Sequence, residues 1–432
     1  MASGLTSHRL CTGSFISQQP PDTVFTERVA ALPEMGLIAW SLDYRVDHQQ
    51  RTVETYVLGG FQSQAQFRPG LGCLVRYPDD QGLLPVGLSH ADMAFIADQS
   101  APPEGPVILG PPLVQRALRP APTTDQGPSS HPTKAVVVMK DGALFAEYYA
   151  PGYSPETPVP GFSLTKSVMN ALVGVMVKAG HLRVDQPAPI PAWADPNRPH
   201  PGITIDHLLR QTSGLDLPAD NSGFDLATQI AVLAWDKAYT ATEAHLAAAP
   251  GSRWAYSDPN SILLARALSN VIGGNPGQFW RFAQRSLFSP LGMTRVSLDF
   301  DGAGTPMGAA SMHASARDWA RLGMFFLNGG QIGDDRLLPD DWIDYSTRPT
   351  LETGYGAGFW INGYALGPLW GMPNAPPGSY FARGFQGQFI VIIPSEGLVI
   401  ARLAAANGPG DDIAGMNQLV GEIRQAIADS LP

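Results

Sequence analysis

The sequence predicts a mixed α/β (α+β) fold in which one antiparallel sheet is assembled from two distant parts of the chain. Three observations support this prediction. Residues 134–149 have the pattern of a β-hairpin, residues 388–403 have the pattern of a second strand pair, and the stretch between them is mainly helical to about residue 345. We therefore expect a sheet from 134–150 and 380–405, with helices flanking it and a helical insertion at about 180–345.

The first part of the sheet is predicted by two β-branched and aromatic runs, residues 134–140 and 143–149. Asp141-Gly142 joins them, and Asp-Gly is a strong signal for a two-residue hairpin turn.

A buried helix is predicted to begin at Ser163. Val168, Leu172, Val175, Met176 and Ala179 recur at helical spacing after it, and Gly180 is a typical C-terminal stop. Ser163 itself occupies the N-cap position of this helix.

The second part of the sheet is predicted at residues 388–393 and 398–403, which are joined by a Pro-Ser-Glu-Gly turn. A last helix at about 411–430 has one apolar stripe and is expected to pack on the sheet.

The N-terminal part, residues 9 to about 100, contains short strand-like runs, including 36–43 and 52–58. Pro- and Gly-rich stretches at 101–106 and 119–132 are typical of a linker. The predicted domains are therefore an N-terminal strand-rich extension with its linker, 1–120, and a main domain that contains the predicted sheet, 121–432. Cys11 and Cys73 both lie in strand-like sequence, and one disulfide or two buried free thiols are both consistent with it.

Bulk properties exclude several classes of function. The 432 residues are 44% hydrophobic and 15% charged, which is typical of a globular protein. The net charge of −10 argues against nucleic acid or an anionic membrane as a partner, and no run of 18 apolar residues predicts a membrane span. Residues 1–8 lack the features of a signal peptide, so we expect a cytoplasmic protein, or a periplasmic one if a leader has been removed. The sequence does not decide whether the protein is a monomer or a homodimer.

The strongest functional signal is Ser163-Leu164-Thr165-Lys166. Only one of the five lysines has a serine three residues before it. At a helix start the two side chains share one face, so the lysine can act as the base that a serine nucleophile requires. The helix N-terminus also directs the Ser163 N–H toward a developing oxyanion. The alternative is an ordinary N-cap serine beside a solvated lysine.

A second candidate base is Tyr256, in the segment 250–260 that precedes another helical pattern. A tyrosine on a tight loop can move a proton to the leaving group. The alternative is a packing aromatic residue.

A third element is the segment 382–388, Ala-Arg-Gly-Phe-Gln-Gly-Gln, at the start of the C-terminal strand pair. Its glycines allow a substrate to approach the backbone, and the Phe385 N–H is a candidate second oxyanion donor. The alternative is a plain β-bulge.

In this order the three elements resemble the Ser-x-x-Lys, Tyr-x-Asn and Lys-Thr-Gly motifs of the class C β-lactamase and penicillin-binding-protein superfamily. The segments 203–215 and 311–323 resemble it too, so the resemblance covers about residues 134–430. Within the superfamily, the Gly-x-x-Gly-Gln form and the N-terminal extension most resemble 6-aminohexanoate-dimer (nylon-oligomer) hydrolases and related esterases.

The resemblance implies a β-lactamase-like fold, with an all-α subdomain beside the sheet domain and an active site between them. It implies Ser163 as the nucleophile, Lys166 and Tyr256 as the proton-transfer pair, and the Ser163 and Phe385 N–H groups as the oxyanion hole. Metal and cofactor are not required. The expected substrate-binding residues at the matching motifs are Asp258, Asn260, Arg383, Gly384 and Gln386. Asp216 and Tyr239 are added only because they lie between the two main motifs in the sequence.

Two departures from the superfamily pattern favour a substrate other than a β-lactam. Asp258 stands where β-lactamases have asparagine, with Asn260 as a substitute or a structural residue. Arg383 stands beside the position of the lysine that binds a β-lactam carboxylate.

The sequence therefore predicts a serine hydrolase that cleaves a linear amide or ester, such as a 6-aminohexanoate oligomer or a carboxylesterase substrate, through an acyl-enzyme. A β-lactamase or D-amino-acid peptidase is the alternative with the same chemistry, and a non-catalytic acyl-binding sensor is the alternative of another class. Gly-x-Ser-x-Gly, His-Glu-x-x-His and Cys-x-x-Cys motifs are absent from the sequence, which disfavours a classical α/β-hydrolase or a zinc enzyme.

Overall fold

The computed structural model describes the chain in eight stretches: residues 1–76, 88–97, 102–119, 133–194, 202–217, 226–363, 371–406 and 412–430. The helices are α1 (Ala2–Phe15), α2 (Pro21–Phe25), α3 (His90–Ala97), α4 (Pro112–Leu118), α5 (Leu164–Lys178), α6 (Ile205–Leu209), α7 (Leu226–Leu233), α8 (Lys237–Thr242), α9 (Asp258–Val271), α10 (Pro276–Ala283), α11 (Ala316–Leu327), α12 (Trp342–Thr347) and α13 (Ile413–Ser430). The strands are β1 (Leu42–Asp47), β2 (Thr52–Val57), β3 (Phe61–Arg68), β4 (Gly72–Arg76), β5 (Thr133–Lys140), β6 (Ala143–Tyr149), β7 (Val159–Pro160), β8 (Ser297–Leu298), β9 (Met312–Ala314), β10 (Gln331–Ile332), β11 (Asp335–Arg336), β12 (Trp360–Ile361), β13 (Tyr380–Gly384), β14 (Gln388–Ile393) and β15 (Leu398–Ala404).

The chain divides into two compact units. The first comprises Met1–Ser100, Ala179–Arg285 and Ser297–His313, and the second comprises Ala101–Lys178, Ser286–Val296 and Ala314–Pro432. The N-terminal residues thus fall into one unit with most of the helical stretch after α5. The domain boundaries inferred from the sequence, 1–120 and 121–432, remain a proposal.

In the first unit a four-stranded antiparallel sheet, in the order β1-β2-β3-β4, is covered by α1. A disulfide between Cys11 of α1 and Cys73 of β4 joins the helix to the sheet, which resolves the alternatives that the sequence left open. Cys11 and its neighbours were expected to be strand-like, and this was wrong. Residues 2–15 form a helix because burial against the sheet outweighs their low helix propensity.

A second correction concerns residues 36–43, for which a strand was predicted. The strand begins only at Leu42, and Ala39–Ser41 form a 3₁₀ turn before it. The turn is closed by the Ser41 hydroxyl, which donates to the Ile38 carbonyl at 2.7 Å. The prediction at 52–58 is confirmed, since β2 runs from Thr52 to Val57.

The second unit contains a six-stranded antiparallel sheet in the order β12-β13-β14-β15-β5-β6. As predicted, two distant parts of the chain form it, because β15 pairs with β5 along its length. The Asp141-Gly142 hairpin is also confirmed, with φ values of 50° and 86° at the two turn residues. Helix α11 packs on β14, β15 and β5, and α5 contacts β13 and β14.

The described part of the predicted linker at 101–106, residues 102–106, forms neither helix nor strand, as expected. Residues 107–111 are also irregular, and the stretch is bound to the second unit through Glu147. Glu147 is fully buried in β6, its carboxylate accepts from the Ile108 N–H at 2.8 Å, and Arg317 Nε donates to it at 2.9 Å. Glu104 adds a second ion pair to Arg317 at 3.0 Å. The predicted linker at 119–132 lies almost wholly outside the described residues.

The last helix, α13, has its predicted apolar stripe buried, at Met416, Val420, Ile423 and Ile427. It packs against α4, which contacts β6. Within the described residues, no helix is both long and apolar enough to cross a membrane.

Candidate active site

The candidate nucleophile Ser163 precedes the first residue of α5, as predicted. The Lys166 amine donates a 3.0 Å hydrogen bond to its hydroxyl. Lys166 is buried, with 4% of its surface exposed, whereas Ser163 is half-buried. A serine hydroxyl that meets a buried amine at a helix start is an arrangement suited to nucleophilic catalysis.

The backbone before Ser163 makes a tight turn with little freedom. Phe162 has a φ of 47°, a left-handed conformation that is unfavourable for a bulky residue. A Cβ on Gly161 would lie 2.2 Å from the ring of Trp319, so glycine is required there. The Lys166 N–H donates to the Ser163 carbonyl at 3.0 Å, which forms the first turn of the helix. These contacts fix the position of Ser163.

Helix α5 is held in the second unit by buried polar side chains. Ser167 donates to the Gly358 carbonyl at 2.7 Å, and Asn170 donates to the Ala357 carbonyl at 2.7 Å. Trp342 Nε1 donates to the Asn170 side-chain oxygen at 3.0 Å. Nearly the whole helix is buried from Leu164 to Met176. The candidate base and the candidate nucleophile therefore lie at the start of a rigid element.

The turn between β13 and β14 lies against the residues that precede Ser163. The rings of Phe162 and Phe385 are 5.6 Å apart and perpendicular. A Cβ on Gly384 would lie 2.1 Å from the Gly161 carbonyl oxygen, so only glycine permits this approach. The structure thus brings four of the predicted residues, Ser163, Lys166, Gly384 and Phe385, into one region of the second unit.

Two other predicted residues on this part of the sheet, Arg383 and Gln386, are buried, with 9% and 1% of their surfaces exposed. Phe385, between them, is 39% exposed. Gln386 has a φ of 61°, which shapes the turn.

The first unit holds the other predicted residues. Tyr256 is half-buried and lies on the loop just before α9, as expected, with its ring 6.3 Å from that of Trp254. Asp258 is the first residue of α9. Asp216 is exposed, and Tyr239 on α8 is 48% exposed.

Asn260 is buried and engaged in the interior of the first unit. Its side-chain oxygen accepts from Ser213 at 2.6 Å, and its amide donates to Gln211 at 3.3 Å. This geometry matches the structural alternative that the sequence left open for Asn260.

Gln211 holds the Tyr256 loop, and sequence reasoning missed it. Its side-chain oxygen accepts from the Ser257 N–H at 2.9 Å, and its carbonyl accepts from the Ala255 N–H at 2.9 Å. Both residues that flank Tyr256 are therefore bound to Gln211. The only sequence signal was its place within the segment 203–215.

Comparison with known proteins identifies the family. The sequence profile of the family described as Beta-lactamase matches residues 123–425. The chain belongs to the beta-lactamase family. Its antiparallel sheet with flanking helices is the β-lactamase-like fold predicted from the sequence, and the protein is a hydrolase of this family.

One similar protein is the 6-aminohexanoate-dimer hydrolase of Paenarthrobacter ureafaciens, which is 23% identical over 297 residues, or 64% of this chain and 74% of the relative. A solved structure from Bacillus anthracis, provisionally described as a 6-aminohexanoate-dimer hydrolase, is 21% identical with a TM-score of 0.57, covering 70% of this chain and 81% of its own. EstCE1, described as a hydrolase with promiscuous acyltransferase activity, is 16% identical with a TM-score of 0.52, covering 73% and 96%.

Proposed function

We propose that this beta-lactamase-family protein is a serine hydrolase that cleaves a linear amide or ester through an acyl-enzyme at Ser163. The observation that carries the proposal is the 3.0 Å hydrogen bond between the Lys166 amine and the Ser163 hydroxyl at the start of a buried helix.

In the proposed reaction the Ser163 oxygen forms a bond to the acyl carbon as its proton passes to a neutral Lys166 amine. The Ser163 and Phe385 N–H groups stabilise the oxyanion. When the tetrahedral intermediate collapses, the bond to the leaving nitrogen or oxygen breaks, and the leaving group takes a proton through Lys166 and Tyr256. A water molecule then attacks the acyl-enzyme, which releases the acid and returns the proton to Ser163.

The proposed substrate is a 6-aminohexanoate-oligomer-like amide or a carboxylic ester. Two features favour it over a β-lactam. Asp258 at the start of α9 is acidic where β-lactamases have an amide, and Ala382 of β13 occupies the position of the lysine that holds a β-lactam carboxylate. The names of the Paenarthrobacter relative and of EstCE1 are consistent with this substrate class. Asp216, Tyr239 and Gln386 are further proposed substrate contacts.

The test combines labelling with turnover. The parent protein and Ser163→Ala are incubated with a fluorophosphonate and analysed by intact mass, then assayed with 6-aminohexanoate dimer, short p-nitrophenyl esters and nitrocefin. We expect one label at Ser163, ester or amide turnover, and little nitrocefin hydrolysis. Ser154→Ala, an exposed serine in the same unit, is the matched control.

Three outcomes would contradict the proposal. An unlabelled parent protein would exclude Ser163 as a nucleophile. Labelling without turnover would support the acyl-binding sensor, and nitrocefin as the best substrate would support a β-lactamase.

A further inference from the structure

Gln388, the first residue of β14, is fully buried and uses its side-chain amide entirely on backbone groups. Its nitrogen donates to the carbonyls of Phe385 at 3.1 Å, Gln386 at 2.9 Å and Ala404 at 2.8 Å. Its oxygen accepts from the Ala404 N–H at 3.0 Å. The side chain thus joins the turn 385–387 to the end of β15.

This turn depends on outside support for its shape. Gln386 and Gly387 both have left-handed φ values, 61° and 82°. A left-handed conformation is unfavourable for a non-glycine residue, so Gln386 adopts it only because its surroundings enforce it. Besides Gln388, the Ala406 N–H donates to the Gln386 carbonyl at 2.9 Å.

A glutamine fits this position better than other side chains of similar size. Three carbonyl oxygens and one N–H surround its head group, so both a donor and an acceptor are needed. A buried glutamate would place its charge against three carbonyl oxygens, and methionine would remove the hydrogen bonds that the glutamine makes to these groups.

We infer that Gln388 is a positioning residue for the oxyanion hole. It holds the turn so that the Phe385 N–H faces the carbonyl oxygen that Ser163 attacks. The inference rests on the proposed function, in which Phe385 is an oxyanion donor. It adds a residue that contacts no substrate and acts through Phe385.

The test compares Gln388→Met and Gln388→Glu with the parent, using a p-nitrophenyl ester and the matching thionoester. The sulfur of a thionoester is a weak hydrogen-bond acceptor, so the preference for the oxygen ester reports the oxyanion hole. We expect kcat for the ester to fall by about 10- to 100-fold with KM within about twofold, and the ester-to-thionoester ratio of kcat/KM to fall by about tenfold. Gln418→Met, an exposed glutamine on α13, is the matched control.

Amide hydrogen exchange supplies a readout that does not require turnover. Peptides covering 384–388 and 404–406 should exchange faster in both Gln388 variants, while the α5 peptides remain protected. Unchanged exchange in these peptides would overturn the inference.

The kinetic outcomes separate this inference from the proposed function. A parent protein that is neither labelled at Ser163 nor active on esters would overturn both. If the parent is active and its Gln388 variants keep the ester-to-thionoester ratio of kcat/KM, the positioning role alone is overturned. This outcome includes variants that lose activity on both substrates by the same factor.

Discussion

The amine of Lys166 lies 3.0 Å from the hydroxyl oxygen of Ser163, one helical turn along the same backbone. We expect Lys166→Ala to lower kcat by about 10³-fold or more, because the serine loses the group that is proposed to accept its proton. Lys178→Ala, at the exposed far end of α5, is the matched control and should keep the parent rate. Parent-level ester hydrolysis by Lys166→Ala would exclude the lysine as the base.

Tyr256→Phe removes only the hydroxyl that is proposed to take part in proton transfer. We expect kcat to fall by about 10²-fold or more with an unchanged melting temperature. The control is Tyr56→Phe, which removes a hydroxyl from β2 in the same unit, where it donates to Glu54 at 3.1 Å. If both variants retain full activity, Tyr256 is a packing residue.

His313 is predicted to make the protein sensitive to acid. It is 2% exposed, and burial lowers its pKa from 6.5 to about 3, although Asp299 partly opposes the shift. Between these two values the unfolded chain binds a proton that the native protein does not, so the free energy of unfolding falls as the pH decreases. The slope is up to about 1.4 kcal/mol per pH unit.

Urea unfolding of the parent and His313→Gln at several pH values from 7 to 4 checks this prediction. The carboxyl groups contribute equally to the pH dependence of both proteins. The free energy of unfolding should therefore fall less in the variant over this range. If the free energy of unfolding depends on pH in the same way in both proteins, His313 does not contribute to the acid sensitivity.

The disulfide between Cys11 and Cys73 closes a sequence separation of 62 residues. We expect Cys11→Ser/Cys73→Ser to lower the free energy of unfolding by about 2–4 kcal/mol, since the unfolded chain gains freedom. Reduction of the parent with dithiothreitol should have the same effect, and the double variant should not respond to it. A parent whose unfolding curve ignores the reductant would contradict the prediction.

The buried carboxylate of Glu147 is expected to be a stability determinant. Glu147→Ala leaves the buried Arg317 with a weakened set of partners, and we expect a loss of about 3 kcal/mol in urea unfolding. The control is Asp185→Ala, which removes the partner of Arg183. The two side chains of this pair are 64% and 77% exposed, so the free energy of unfolding should stay unchanged. Equal losses of unfolding free energy in the two variants would contradict this ranking.

The sequence predicted best the elements whose signals are local. The Asp141-Gly142 turn requires positive φ at both residues, and β14 spans the predicted residues 388–393 because a continuous apolar run fills a buried strand. Helix α1 was missed because its formation depends on burial against β2 and β3 and not on its own propensities.

In the candidate site the sequence predicted the candidate catalytic residues but not the residues that hold them in position. Ser163 and Lys166 are three residues apart, so a helical pattern is enough to predict that they meet. Gln211 and Gln388 form hydrogen bonds with backbone groups. Gln211 accepts one from the Ser257 N–H, which lies 46 residues away in the sequence. Such contacts leave no periodic pattern.

The pairing of β5 with β15 has a consequence for synthesis of the protein. Arg402 donates to Thr133 across this strand pair, although 269 residues separate them. A ribosome therefore releases β5, β6 and α5 long before the strands that complete their sheet. Until Tyr380–Ile393 emerge, α5 lacks β13 and β14, the strands that it contacts, and until Leu398–Ala404 emerge, β5 lacks its partner β15. Truncation before β15 should accordingly yield aggregation instead of a smaller active enzyme, because it leaves an edge of β5 unpaired.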